Sequence, residues 1–179
     1  MEAGKLHAQA PESADARETG SQLRPGLWQT INDRYPGSMI TKSDFVPLAR
    51  LAKPLKECKI CLVSSCGVHL RSDRPMDVAH PFGDFTFRRV PSGAQPNELI
   101  IHQLKYPHDD ADLDINVIFP IQRLQELARE RIIGGLTTNF FSFIGYNMDP
   151  EKFEATVAEG IARAVDDEEQ ADIALLAPA

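Results

Sequence analysis

Large apolar side chains are nearly absent from residues 1–24, where Ala, Glu, Ser and Gly dominate, and they recur regularly only from Leu27 and Trp28 onward. A segment so poor in apolar surface cannot offset the entropy of ordering its backbone. Residues 1–26 are therefore expected to be a disordered N-terminal tail, and residues 27–179 a single α/β domain. Ser43 and Asp44 offer an N-cap for a short helix over 45–52, which must end before Pro54. The run 59–64 (KICLVS) is almost continuously apolar, the pattern of a strand covered on both faces. Residues 85–90 alternate like a half-exposed strand, and 98–104 (ELIIHQL) predicts another. Pro120 suits the first turn of a helix, and Ile121, Leu124, Leu127 and Ala128 carry helical spacing to about Arg131. Residues 136–145 (LTTNFFSFIG) are β-branched and aromatic, hence a strand. Asp149 and Pro150 then start a helix whose apolar stripe is Phe153, Val157, Ile161 and Val165. The run 172–177 (DIALLA) predicts a last strand.

Strands that alternate with helices through the second half imply a mostly parallel sheet with helices on its faces. The expected fold is an α/β three-layer sandwich, with an antiparallel insertion around 85–104. In such folds ligands gather at the carboxyl ends of the strands. The segments 65–71, 106–116 and 145–149 are thus the places to look for a site.

Composition narrows the partners. The chain has 179 residues, 42% hydrophobic and 25% charged, which suits one globular domain with a core of its own. A net charge of −7 argues against nucleic acid or an anionic membrane surface as a partner. No window approaches the ~18 consecutive apolar residues of a membrane span. The N-terminus carries no apolar leader-like stretch. Three cysteines, an odd number, do not make a disulfide framework, and a cytoplasmic location is expected.

Cys58, Cys61 and Cys66 are spaced C-x2-C-x4-C. A redox C-x-x-C works at a helix N-terminus, whereas this pair flanks a strand start, so no working pair and no metal are expected. Cys66, just past the strand and before Gly67, is the thiol candidate by position. Asp110, Asp112, Asp114 and Asn116 imitate the start of a calcium loop, but the sixth and twelfth positions are Ile115 and Ile121, where such a loop needs Gly and Glu. That leaves a polar capped turn or a pocket rim with His102, Tyr106 and His108. His69 falls at the end of the first strand, a ligand-facing place for a histidine whose default role is structural. Arg88 and Arg89 alternate, so only one can face a pocket, and 166–169 reads as a solvated helix end. No Walker A, G-x-G-x-x-G, G-x-S-x-G or H-E-x-x-H motif occurs.

Four segments taken together carry a resemblance: 62–70 (LVSSCGVHL), 81–91 (PFGDFTFRRVP), 102–127 (HQLKYPHDDADLDINVIFPIQRLQEL) and 132–145 (IIGGLTTNFFSFIG). In this order they resemble the selenoprotein B family of glycine, sarcosine, betaine and D-proline reductases, over roughly residues 45–177. The D-x-N-x-x-F-P stretch at 114–120 is the most specific part. The resemblance implies reductive cleavage of a C–N bond in a small amino acid or N-methylated glycine, with dithiols supplying electrons. It implies a selenocysteine or cysteine as nucleophile, and a pyruvoyl group on a companion subunit where amines need activation. No cofactor is expected in this chain.

The residues that carry over are His69, Asp84, His102, Asp114 and Asn116, expected as substrate-binding positions, with His69, His102 and Asp114 converging on one pocket. In the family the reactive residue follows a strand like 172–177, and a small residue stands where Cys66 does, so Cys66 does not inherit the catalytic role and the catalytic residue stays unassigned. Two classes of function remain. One is a reductase subunit, or its N-terminal portion, which acts with a companion subunit or as a homo-oligomer. The other is a non-catalytic member that binds a small ligand or scaffolds a complex. The sequence stops at Ala179, before any such nucleophile. An incomplete reductase is therefore expected, with an apolar patch left bare beside its last strand.

Overall fold

The computed structural model describes Asp33, residues 49–104 and residues 106–179. The expected tail over 1–26, the onset at Leu27 and Trp28, and residues 45–48 of the expected first helix lie outside these. Residues 49–52 are described and are not helical, so that helix does not extend to Ala52. Apart from Asp33, the described residues belong to one compact unit, Phe45–Ala179.

Strand β1 (Lys59–Ser64) forms the centre, with every residue from Ile60 to Ser64 buried. This is the apolar run, and it is covered on both faces as its composition requires. On one side it pairs in parallel with β7 (Ile173–Ala177), in register from Ile60↔Ile173 to Ser64↔Ala177. On the other it pairs in parallel with β5 (Gly135–Leu136) at its start and with β6 (Asn139–Phe143) at its end. Beyond β6 runs β3 (Phe87–Pro91), antiparallel, with Val90 opposite Phe140. A separate small sheet pairs β2 (Val68–Leu70) with β4 (Leu99–Ile101), also antiparallel. The antiparallel strands expected around 85–104 thus go to two different sheets. His69 lies inside β2, not at the end of the first strand.

The expected strand over 136–145 is broken. Lys59 opposes Gly135 but Val63 opposes Phe141, so two extra residues are accommodated at Thr137–Thr138. An insertion of two preserves the alternation of faces. The main-chain N–H groups released there donate to Glu169: Thr138 N to Oε2 at 2.7 Å and Asn139 N to Oε1 at 3.0 Å, with Asn139 Nδ2 adding 2.8 Å. Glu169 is buried, and its neighbour Glu168 pairs with Arg89 at 2.7 and 3.0 Å. The run 166–169, expected as a solvated helix end, is therefore half structural.

Helices cover both faces. Helix α1 (Asp109–Leu113) and a 3-10 turn (Ile115–Val117) lead into α2 (Ile121–Arg129). On that side Phe119 meets Phe140 edge-on and Ile118 O lies 3.1 Å from Ser64 Oγ. Helix α3 spans 150–168 on the opposite face, where Phe153 meets Phe143 and Gly160 is pressed against Phe87. It is α-helical over Pro150–Phe153 and Glu159–Arg163 and π-helical over Glu154–Ala158 and Ala164–Glu168. A stripe at every fourth residue drifts by about 40° per step in a regular α-helix. The wider π turns absorb that drift and keep Val157 and Ile161 buried in line. Beside α3, Leu176 of the edge strand β7 is 70% exposed, whereas its neighbour Leu175, 39% exposed, points to the other face of the sheet.

Replacing Glu169 by Ala would leave three donors at the strand break without an acceptor. We predict a loss of about 3 kcal/mol in unfolding free energy, read as a lower urea midpoint at unchanged slope. A shift below about 0.5 kcal/mol would mean water satisfies the break equally well.

Candidate functional site

The link from β1 to β2 crosses close to the residue after β4. Gly67 has φ +71°, and a Cβ there would sit 2.4 Å from His102 O, so only glycine allows this approach. His102 N donates to Gly67 O at 2.9 Å. This close crossing brings the two histidines together, with His69 Nε2 2.7 Å from His102 Nδ1. The rings lie 4.9 Å apart and within 11° of parallel. With the nitrogens in contact, they meet edge to edge in nearly one plane.

The proton positions follow from the far side of the pair. His69 Nδ1 is 2.7 Å from Leu70 O. A carbonyl can only accept, so Nδ1 carries the hydrogen and Nε2 accepts from His102 Nδ1–H. In the neutral pair, His102 is thereby fixed with a bare Nε2. His69 is fully buried and His102 half-buried. Burial holds the His69 pKa below its ordinary value. The nearby His102 and Arg88 push the same way, against the Leu70 bond and Asp73.

Tyr106 and His108 stand near by. The Tyr106 hydroxyl donates to Cys66 O at 2.9 Å, and burial pushes its pKa up to about 12, so it acts as a neutral tether. His108 Nδ1 contacts Asp112 Oδ2 at 2.8 Å in the first turn of α1. The acidic run 109–112 is thus helical, while the polar capped turn, one of the two readings left open, is confined to 114–117.

Asp114 and Asn116 bond to each other and, through Asn116, to α2, with no hydrogen bond to either histidine among the described residues. Asp114 is exposed and caps the 3-10 turn, with Oδ1 accepting from Asn116 N at 3.0 Å and Nδ2 at 2.7 Å. These bonds hold its carboxyl below the usual range. Asn116 in turn accepts from Gln122 N and donates to Gln122 Oε1, which joins the turn to α2. Phe119 is fully buried and Pro120 precedes α2, so the D-x-N-x-x-F-P stretch builds a cap and a core plug. Asp114 lines a 230 Å³ cleft with Arg71, Ile100 and Gln122, and neither histidine of the pair lines it. Of the three residues expected to converge, two meet.

Asp84 is also engaged. It is buried and accepts from Asp77 N at 2.8 Å, from Thr86 N at 2.8 Å and from the Thr86 hydroxyl. Arg88 approaches it at 4.0 Å and donates to Arg74 O, Pro75 O, Thr86 Oγ1 and Phe87 O. Together they brace the loop 74–88 around a cleft of about 480 Å³ whose rim also includes Arg74, Asp77 and His80. Sequence reasoning passed over these three, although a polar loop joining two strands was the available signal.

All three cysteines are fully buried and unpaired. Burial pushes Cys61 up to about 11, against a bond from Thr137, and raises Cys66 as well. Cys66 Sγ faces Ser142 Oγ at 3.7 Å inside the fold, so it is no accessible thiolate. Among the described residues no group of three or more His, Cys, Asp or Glu could hold a metal ion, and no helix is long and apolar enough to cross a membrane.

The family model for glycine/sarcosine/betaine reductase selenoprotein B matches residues 32–177. The D-proline reductase subunit gamma of Acetoanaerobium sticklandii is 35% identical over 118 residues, 66% of this chain and 48% of that protein. The chain spans about half the length of that curated relative. No solved structure matches.

Two outcomes follow from the buried groups. At neutral pH the three thiols should react slowly with iodoacetamide in the folded chain and rapidly in denaturant, and mild oxidation should give no Cys58–Cys61 disulfide. Rapid labelling of Cys66 in the native state would contradict this. Burial lowers the His69 pKa in the fold, whereas the unfolded chain takes up its proton near pH 6.5. The unfolded state then binds more protons, so stability should fall as pH drops below about 6.5. His69→Gln should flatten that limb of the stability profile, and an unchanged slope would place the loss elsewhere.

Proposed function

Because the chain belongs to the glycine/sarcosine/betaine reductase selenoprotein B family, we propose that it serves in a reductase that cleaves the C–N bond of glycine, a methylated glycine or D-proline. The family match over residues 32–177 carries this reading. In the reaction a selenolate or thiolate attacks the substrate carbon, a C–Se or C–S bond forms, and the C–N bond breaks as the amine leaves with a proton. Two electrons from a dithiol, which becomes a disulfide, then release the reduced carbon.

Within that chemistry this chain holds and orients the substrate and does not supply the nucleophile. Burial of all three cysteines, with Cys61 and Cys66 made harder to ionise, supports this division. The nucleophile then comes from a companion subunit or from another part of the protein. A pyruvoyl group, where an amine needs activation, belongs to a companion subunit, and no residue here is assigned to it. The setting is the cytoplasm, where thiols stay reduced. The same burial favours the second reading, a non-catalytic ligand-binding or scaffolding member.

The purified chain, given D-proline, glycine, sarcosine or betaine with dithiothreitol, should form no reduced product alone. With the remaining reductase components, product should appear and depend on this chain. Turnover by the chain alone, lost on replacing one cysteine, would overturn the division of labour. Reconstitution that proceeds equally well without the chain would favour the scaffolding reading.

A further inference from the structure

The cleft beside the loop 74–88 holds opposite charges apart. Arg74 and Asp77 are exposed and three residues apart, close enough in sequence to pair, yet no ion pair forms between them. The backbone between them is fixed on both sides. Met76 is buried in the core, Asp77 N is bound to Asp84, and the carbonyls of Arg74 and Pro75 accept from Arg88. Asp84 and Arg88 face each other and spend their hydrogen bonds on this bracing.

What remains on the rim is free. The Arg74 guanidinium has no acceptor among the described residues. Asp77 Oδ1 accepts from Ala79 N and His80 N, which leaves Oδ2 without a donor there. His80 Nδ1 accepts from Phe82 N at 3.2 Å, so its hydrogen is on Nε2 and that nitrogen is a donor. The cleft, about 480 Å³, thus offers two donors for an anion, one of them a permanent cation, and one carboxylate oxygen for a cation.

We propose that this cleft binds a small zwitterion, an amino acid whose carboxylate meets Arg74 and His80 Nε2–H and whose ammonium meets Asp77 Oδ2. The assignment rests on the reductase reading for its choice of amino acids, and it deepens that reading by giving the substrate a place. A molecule carrying both charges satisfies both sides of the gap, whereas one carrying a single charge leaves an opposite charge unpaired. Discrimination therefore comes from meeting both charges at once more than from either contact. With so few ligand atoms, affinity falls in the millimolar range.

The test is an NMR titration of the full 15N-labelled chain with glycine, D-proline, acetate and methylammonium. Glycine and D-proline should shift amides within 74–88 saturably and more tightly than either single-charge ion. Arg74→Ala and Asp77→Asn should each weaken glycine by about tenfold, the loss expected for one charge-assisted bond, while acetate should respond to Arg74→Ala alone. Asn keeps the Oδ1 acceptor for residues 79 and 80, so the loop stays closed. An Asp77→Asn spectrum that matches wild type outside the loop verifies this. Saturable shifts confined to 102–116, equal affinity for acetate and glycine, or no shift by about 100 mM ligand would each overturn the assignment. No reductase activity enters this readout, so binding here in a protein that fails reconstitution would remove the functional reading and leave the cleft standing.

Discussion

The architecture turns on one buried carboxylate at a break in the sheet. Strand β1 can pair with both β5 and β6 only because two extra residues are looped out between them, and looping them out strips main-chain donors of their ladder partners. Glu169, at the end of α3, accepts those donors. The same region steers the chain into its last strand, since Lys59 Nζ donates to Glu169 O and Lys59 N to Asp172 Oδ2, and Lys53 pairs with Asp172. One helix end thus closes the sheet break and sets the register of β7 against β1.

That register fixes the carboxyl edge of the sheet, where the polar features collect. Gly67 N donates to Phe143 O and Gly145 N to Ser65 O, so the loops after β1 and β6 are tied to each other. Met148 N donates to Phe82 O, and Gly83 bridges to Asn147, which ties the cleft-forming loop to the same end of β6. Gly83 has φ +96° and a Cβ there would lie 2.2 Å from Tyr146 O, so this contact too depends on glycine. The histidine pair and the 74–88 cleft therefore both hang from the end of β6, as ligand sites do in parallel sheets.

Much of this was legible in the chain. Continuous apolar character marked β1, proline and aspartate marked the starts of α2 and α3, and aromatic enrichment marked β6, because each of these signals is local. The break at Thr137–Thr138 was hidden, since its stabilising partner lies some thirty residues away and Glu169 looks solvated beside three other acids. His69 was misplaced because a three-residue strand carries too little periodicity to read. Its convergence with His102 and Asp114 was expected from strand-end position and the family pattern alike; the two histidines meet, whereas Asp114 caps the turn before α2. The free charges of the 74–88 cleft left no motif at all, because what distinguishes them is the partner they fail to meet.

The distribution of ionisable groups gives these observations a common sense. The three thiols, the groups able to carry out electron or nucleophile chemistry, are withdrawn into the core, and burial works against the ionisation of Cys61 and Cys66. Groups able to recognise charge are left at the edge, and they are held by backbone bonds more than by one another. His102 stands between these classes, half-buried, with its tautomer set by a wholly buried neighbour and its outer nitrogen bare in the neutral pair. A chain arranged this way fits the holding of a small charged molecule at the open edge of the sheet. The withdrawn thiols make it a poor attacker of that molecule unaided. The apolar edge strand β7, with Leu176 mostly exposed, adds a surface that water alone covers at a cost.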